Sequence, residues 1–438
     1  MAGIGIVGAG IGGLASAALL ARAGHGVTVF DRFEAPRPVG SGLIIQPVGQ
    51  AVLDLAGAGA AVRALGARIE RMVGHEAGHG RCVLDVRYAR RGSDSHGLGI
   101  HRASLFAALL AAATAAGAQL RSGARVLAST DRPGCRTLTL ASGEVAGPFD
   151  LVLDASGVHS PLSPLRGRGL AFGALWSTVP WPACDLPKDR LTQRYRRADR
   201  MAGILPLGTL PGDATPLAAV FWSLRAADLD RWHQTPLAAW KAEAMAFWPE
   251  IGAFLDPIRD PADLSFATYS HGTLRRPFAP RLAILGDAAH RTSPQLGQGA
   301  NMALLDAAAL AQAVATHGPS DAPAEYARLR RWHVRAYQAM SAAFTPQYQS
   351  DGWLHPTLRD RLFAPLSRVA PVPLLLNRIA CGDLIPPIRG APRQVRTGRS
   401  AAAQLRFSQP QTSEITTLPS PTAEATRLTD PARTSPTA

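Results

Sequence analysis

The chain has 438 residues, 47% of them apolar, enough to bury a large core in two packed lobes, which excludes a disordered or fibrous protein. Its net charge of +14 comes from scattered arginines, with Lys188 and Lys241 the only lysines, and this excludes the clustered basic face of a nucleic-acid binder. Cys82, Cys135, Cys184 and Cys381 form no CxxC pair, no apolar run reaches the ~20 residues of a bilayer span, and a strand starting at residue 3 leaves no room for a leader, so a cytoplasmic protein with no integral membrane segment is expected.

Gly3 to Val7 predicts a strand, Gly8-Ala9-Gly10-Ile11-Gly12-Gly13 a tight turn, the Ala/Leu-rich stretch to about Ala23 a helix, and Val27 to Phe30 a second strand. This order is the dinucleotide fingerprint: Gly8 makes the turn, Gly10 admits a pyrophosphate, and Gly13 lets the helix pack on the sheet. Asp31, with Arg32 beside it, closes the second strand, where an acid can hold adenosine ribose hydroxyls. Alone, the fingerprint suits NAD, NADP or FAD equally. Further along, Cys82 to Tyr88 reads as a strand, a helix starts at His101-Arg102-Ala103-Ser104-Leu105, and Asp150 to Asp154 reads as a strand before Ala155-Ser156-Gly157.

From about 170 to 270 the texture changes to strand-like pieces, among them Leu191 to Arg196, Met201 to Leu207 and Pro216 to Leu224, interrupted by a helix near Pro236 to Phe247. Arg281 to Leu285 predicts a short strand and Gly286-Asp287-Ala288-Ala289-His290 a polar turn. Pro294, Gly297-Gln298-Gly299 and a helix opening at Ala300 and Asn301 follow. An Arg-rich helical segment comes after Ala322, and the composition from Gly390 onward predicts a disordered tail.

The segment from Gly286 to Asn301 resembles the flavin-ribityl motif of the single-component FAD-dependent aromatic hydroxylases, the family of p-hydroxybenzoate and salicylate hydroxylases. The resemblance implies that Asp287 accepts hydrogen bonds from ribityl hydroxyls and that Gly297 and Gly299 let backbone approach the flavin ring. It also implies that the helix at Ala300 and Asn301 points its free N–H groups at the ring's pyrimidine edge, which becomes anionic on reduction. Together with the fingerprint it selects FAD. Gly40-Ser41-Gly42-Leu43, followed by Gln46-Pro47, resembles the family loop beside the flavin, Arg102 the arginine that reaches the FAD diphosphate, and Val126 a strand position against the adenine.

The implied fold is α/β: a Rossmann-like FAD-binding domain (1–70, 98–165 and 270–318), an inserted, mostly antiparallel β-sheet substrate domain (71–97 and 166–269), a C-terminal helical region (319–389) and a tail (390–438). The implied reaction uses NAD(P)H as co-substrate to reduce the flavin and O2 to form a flavin C4a-hydroperoxide, which hydroxylates a small-molecule aromatic substrate. A monomer or homodimer is expected. Tyr195, Tyr269 and His271 are the candidates for a relay that removes a phenol proton, with Pro294 shaping the substrate face of the ring. One pair departs from the family pattern: Ser156-Gly157 stands where Asp-Gly is usual, in a segment implicated in both FAD and NAD(P)H binding. That departure leaves open a reductase, epoxidase or halogenase, or an FAD-binding protein without catalysis. A halogenase would need a lysine between flavin and substrate, and neither Lys188 nor Lys241 has that context.

Overall fold

The computed structural model describes residues 1–34, 42–89 and 94–388. Gly40, Ser41 and the tail 390–438 lie outside the described residues.

The cofactor motifs sit on a six-stranded sheet: β1 (Gly3–Val7), β2 (Gly26–Phe30), β3 (Gln119–Arg121), β4 (Leu151–Asp154), β5 (Phe278–Ala279) and β6 (Leu282–Ile284). The spatial order is β5-β6-β4-β1-β2-β3, parallel throughout except where β5 meets β6. β4 and β6 are buried along their whole length, as a parallel sheet covered on both faces requires. One face is covered by α1 (Ile11–Arg22), α2 (Arg102–Ala115) and α3 (Gly299–Tyr348), which is broken at Gly318. Leu14, Leu105, Leu109 and Leu304 pack there against Ile4, Ile6 and Leu153. On the other face Val7, Phe30 and Val152 meet Val126, Leu138 and Phe149 of a three-stranded meander.

The register matters for function. Val7 pairs with Phe30 and with Asp154, and Asp154 with Ile284, so the carboxyl ends of β1, β2, β4 and β6 align at one edge. The strand order reverses between β1 and β4, which makes that edge a topological switch point, where open α/β sheets bind ligands.

A second sheet of seven strands runs Ser265–Ala267, Phe172–Pro180, Asp213–Arg225, Arg200–Leu210, Arg190–Arg196, Arg71–Glu76, Cys82–Arg87. It is antiparallel except where Arg190–Arg196 pairs with Arg71–Glu76. Trp222, Trp232, Trp240 and Trp248 bury one of its faces beneath the helix Leu237–Phe247. This matches the α/β class, with a mostly antiparallel sheet, read from the sequence.

Near the end of the described chain, α4 (Val372–Cys381) docks through Asn377 Nδ2, which donates to the carbonyls of Arg87 (2.6 Å) and Tyr88 (2.9 Å). Among the described residues no helix is long and apolar enough to cross a membrane.

Candidate active site

The glycine turn after β1 divides its glycines into two kinds. Gly8 has φ 98, and a Cβ there would lie 2.7 Å from the Ala155 carbonyl; a Cβ at Gly13 would lie 1.9 Å from the Gly8 carbonyl. Both are imposed by the fold itself. Gly10 differs: its φ of −76 and ψ of −175 suit any residue, and its nearest neighbour beyond the turn is the Ala155 carbonyl, 3.9 Å from a notional Cβ. A side chain there would point into the open cleft at the switch point. Gly10 also caps α1 without a side-chain partner, and the first turn carries no acid, so the free amides face that cleft. The turn therefore fits a pyrophosphate.

Asp31 lies at the end of β2, its Oδ2 accepting from Ala9 N (2.7 Å) and its Oδ1 from Phe33 N (3.0 Å). These bonds fix the carboxylate against the turn and leave lone pairs for ribose hydroxyls. Arg32 is exposed, its guanidinium 4.9 Å from the Phe33 ring centroid. Val126 is buried beside Val7 and Phe30, with the neighbouring Ala124 N donating to Asp31 O (2.7 Å).

The second motif converges on the same edge. β6 delivers Asp287 on a short 3-10 turn, Gly286–Ala288, while Arg102 opens α2. Both side chains are reachable by solvent yet set deep among protein atoms, which places them on the wall of a concave cleft. Burial raises the Asp287 carboxyl above its usual range, with His290, Arg102 and Arg291 opposing. Burial lowers Arg102, against the pull of Asp287 and Tyr269, so Arg102 is within electrostatic reach of both. Arg102 has no hydrogen bond or ion pair among the described residues.

The α3 N-terminus forms the next wall. Pro294 is half-buried in a 3-10 turn ending at Gly297 (φ 59), and the Gln298 side chain makes no capping bond to the helix amides, leaving those of Gly299, Ala300 and Asn301 free. Asn301 is fully buried and serves as a knot: Oδ1 accepts from Gln46 N (2.8 Å), while Nδ2 donates to Gly297 O (3.0 Å) and Ile44 O (3.3 Å). Gln46 Nε2 is buried without a partner, 3.2 Å from where a Cβ on Gly297 would stand. A buried donor in that position fits the polar edge of a flavin ring. Gly42 has a different explanation from the expected flavin approach: a Cβ there would fall 2.0 Å from Leu207 Cδ2 of the seven-stranded sheet.

The three relay candidates separate. Tyr269 accepts from Trp176 Nε1 (2.9 Å), and burial pushes its hydroxyl up to about 12. His271 is half-buried, held neutral by burial, with Nε2 3.4 Å from Ser341 Oγ. Tyr195 does not join them: it is 1% exposed, its hydroxyl donates to Gln193 Oε1 (2.9 Å), and its ring is packed between Tyr348 and Arg359. It belongs to the core of the second sheet, and the expectation of a catalytic role for it is corrected accordingly.

The Ser156 departure also gains a physical account. Ser156 donates to Asp154 Oδ1 through both N (3.1 Å) and Oγ (2.5 Å), and Ser160 Oγ donates to Oδ2. Asp154 is fully buried, and burial raises its carboxyl. An aspartate at 156 would lose one donor and add a like charge. Ser156→Asp is therefore expected to destabilise the fold by about 1–3 kcal/mol rather than repair nicotinamide use. Thermal unfolding checks this; an unchanged Tm with faster flavin reduction would overturn it.

Sequence reading missed a buried charge cluster behind the Asp287 turn. Asp306, fully buried on α3, accepts from Gly286 N (2.9 Å), His290 Nε2 (2.6 Å) and Arg330 Nε (2.8 Å). Arg330 continues to His333 Nδ1 (3.1 Å), whose Nε2 donates to Gly382 O (3.0 Å). The available signal was an acid inside the apolar run Leu304-Leu305-Asp306-Ala307.

The edge so described, with one glycine turn for a pyrophosphate and one acidic turn some way round the same cleft, is that of a flavoprotein holding a single extended dinucleotide. The family model described as FAD binding domain matches residues 1–337. The 2-heptyl-3-hydroxy-4(1H)-quinolone synthase of Mycobacteroides abscessus is 28% identical over 391 residues, 83% of this chain and 94% of that one. The 3-amino-4-hydroxybenzoate 2-monooxygenase of Streptomyces cremeus is 28% identical over 353 residues, 75% of this chain and 82% of that one. The crystal structure of Klebsiella pneumoniae HpxO complexed with FAD and uric acid has the same fold, with a TM-score of 0.72 at 20% identity over 87% of this chain and 97% of that one. The chain belongs to this FAD-binding family, among its aromatic-hydroxylase-like FAD-dependent monooxygenases.

Asp287→Asn is expected to weaken FAD binding about tenfold to a hundredfold, the range for losing a charge-assisted hydrogen bond. Because ribityl hydroxyls favour the ionised carboxylate, wild-type affinity should also fall on acidification through the raised Asp287 pKa. Fluorescence titration of apoprotein with FAD against pH measures both; equal affinity in the variant would remove Asp287 from the site.

Proposed function

We propose that the protein inserts one oxygen atom of O2 into a small, electron-rich aromatic ring, using NAD(P)H as electron donor. The observation that carries this reading is that Arg102, which opens α2, lies within electrostatic reach of both Asp287, at the carboxyl edge of the parallel sheet, and Tyr269, whose hydroxyl Trp176 holds. The names of relatives that act on hydroxylated or nitrogen-containing rings support it. Bound FAD supplies electron uptake and oxygen activation.

The chain's own residues orient the substrate and handle protons. Asp31, Asp287 and the amides at the starts of α1 and α3 hold the two ends of FAD. Tyr269, protonated at neutral pH and already accepting from Trp176, has its own proton to donate to a ring oxygen. Neutral His271 abuts a buried hydroxyl chain: Ser341 Oγ lies 2.9 Å from Ser293 Oγ, which lies 2.7 Å from Thr345 Oγ1. Ser293 directly precedes Pro294, so this chain gives a phenol proton a path away from the flavin face.

Anaerobic stopped-flow mixing with NADH or NADPH, with and without phenolic acids, hydroxypyridines and hydroxyquinolines, tests the proposal. Flavin bleaching that one ring compound accelerates, followed by hydroxylated product on admitting O2, supports it. A yellow protein that neither nicotinamide reduces under any condition overturns it in favour of an FAD-binding protein without hydride transfer, the alternative that Ser156 motivates.

A further inference from the structure

Of the fifteen large apolar side chains exposed among the described residues, nine fall between Trp353 and Leu375. They are not scattered. Leu354, Leu358, Leu362 and Leu366 recur every four residues along the consecutive short helices Leu354–Leu358, Arg359–Phe363 and Ala364–Leu366, and each is exposed. The buried positions on this stretch are Pro356, Arg359 and Ala364. An ordinary surface helix turns its apolar stripe inward and its charges outward. Here the leucine stripe faces outward instead. Arg359 is the anchor, 1% exposed, donating to the carbonyls of Gln347 (2.7 Å) and Arg197 (2.9 Å) with its guanidinium over the Tyr195 and Tyr348 rings, while leucines face outward. Trp353 (71% exposed) and, on α4, Leu374 (57%) extend the surface at either end. A concentration of exposed apolar side chains in one segment of this kind marks a binding face.

Charge identifies the partner. Arg361, Arg368 and Arg378 are exposed on this stretch, Arg368 also donating to Cys82 O (3.2 Å) and Arg378 to Asp383 O (2.8 Å), whereas its two carboxylates, Asp360 and Asp383, are only half-exposed and engaged by Arg359 and Arg378. The sequence that follows, 389–413, adds Arg389, Arg393, Arg396, Arg399 and Arg406 and no acid. A second copy of a chain with net charge +14 would meet this face with like charge. An anionic lipid surface offers apolar depth and negative headgroups together.

We propose that residues 353–375 form an interfacial face by which the enzyme sits on an anionic bilayer, without crossing it. Leu362 and Phe363 enter the acyl boundary, and Arg361 and Arg368 lie at the headgroups. α4 also reaches the flavin site, since Gln298, which caps α3, donates through Nε2 to the carbonyls of Ile379 (3.3 Å) and Ala380 (3.0 Å). The face therefore lies on the same C-terminal segment that braces the start of α3.

The test is flotation of the full-length, FAD-loaded protein with vesicles of phosphatidylcholine alone and of phosphatidylcholine with an equal part of phosphatidylglycerol. Binding to the anionic vesicles only, weakened by salt, is expected. Leu362→Glu with Phe363→Glu should reduce it at least about tenfold, and Arg361→Gln with Arg368→Gln should cost about fivefold per arginine, while flavin content stays at the wild-type level. Equal partitioning of wild type and variants, or no binding to either vesicle, overturns the proposal. So does sedimentation showing a concentration-dependent dimer that the Leu362→Glu, Phe363→Glu variant abolishes, since the face would then belong to a second copy.

Discussion

Replacing Gly10 with valine is expected to yield a folded protein that purifies without FAD, whereas replacing Gly13 with alanine should destabilise the protein whether or not FAD is present. The two glycines sit three residues apart in one turn, and their surroundings separate the effects. At Gly10 the backbone is extended and a Cβ meets no protein atom closer than 3.9 Å, so the native chain accommodates valine; the obstruction falls on the pyrophosphate alone. At Gly13 a Cβ would stand 1.9 Å from the Gly8 carbonyl, which α1 and β1 hold rigidly between them. That overlap should cost about 3 kcal/mol or more, the upper range for overpacking. Thermal unfolding of apoprotein and flavin absorbance per polypeptide give the two readouts. Gly10→Val with wild-type flavin content would show that the pyrophosphate lies elsewhere, and Gly13→Ala with an unchanged apoprotein Tm would show that α1 can shift on the sheet.

The same distinction explains which parts of the site were legible in the sequence. Backbone-driven features declare themselves locally: Gly8, Gly10 and Gly13 stand at fixed offsets between a strand and a helix, and Asp287 follows β6 directly, so their places on the sheet edge follow from a few consecutive residues. Side chains on the seven-stranded sheet do not. Arg190–Arg196 has partners on both faces, and nothing in its own residues tells which face looks toward the cleft. Tyr195 is withdrawn from the cleft by Tyr348 and Arg359, which arrive from a C-terminal segment more than a hundred residues away in sequence. Tyr269 is distinguished by Trp176, 93 residues earlier, whose indole nitrogen fixes its hydroxyl. Gly42 was legible as an invitation to close approach, but the approaching group is Leu207. Long-range partners thus decided every side chain whose role differed from its local reading.

The buried cluster behind Asp287 should be the most sensitive point of the fold. Asp306→Ala strands the Arg330 guanidinium, 2% exposed, without its carboxylate, and frees Gly286 N and His290. Breaking one half of a buried ion pair costs about 3–5 kcal/mol. Because Gly286 and His290 bracket Asp287, FAD affinity should fall as well. The paired replacement Asp306→Leu with Arg330→Met removes both charges, so it should recover much of the stability but not the FAD affinity, as the turn still lacks its acceptor. Urea unfolding and FAD titration of the three proteins separate these effects. A single variant within about 1 kcal/mol of wild type would mean that the pair is not held in the folded state.

The pH dependence follows from the same groups. His290 and Arg330 hold the Asp306 carboxyl down at about 2 against an unfolded value of 3.8, so its contribution is complete above 3.8 and is lost as pH falls toward 2. Burial and the neighbouring Arg330 hold His333 neutral, its value lowered to about 3 from 6.5, so the unfolded chain binds a proton that the folded chain refuses between those limits. Both signs agree: stability should decline from about pH 6.5 downward by about 1.4 kcal/mol per pH unit for His333 alone, and more steeply once Asp306 joins below 3.8. His333→Gln, which keeps a donor for Gly382 O and cannot be protonated, should flatten the decline between pH 6.5 and 4 while leaving the steep acid limb. An unaltered slope in that variant would place the proton uptake on another group.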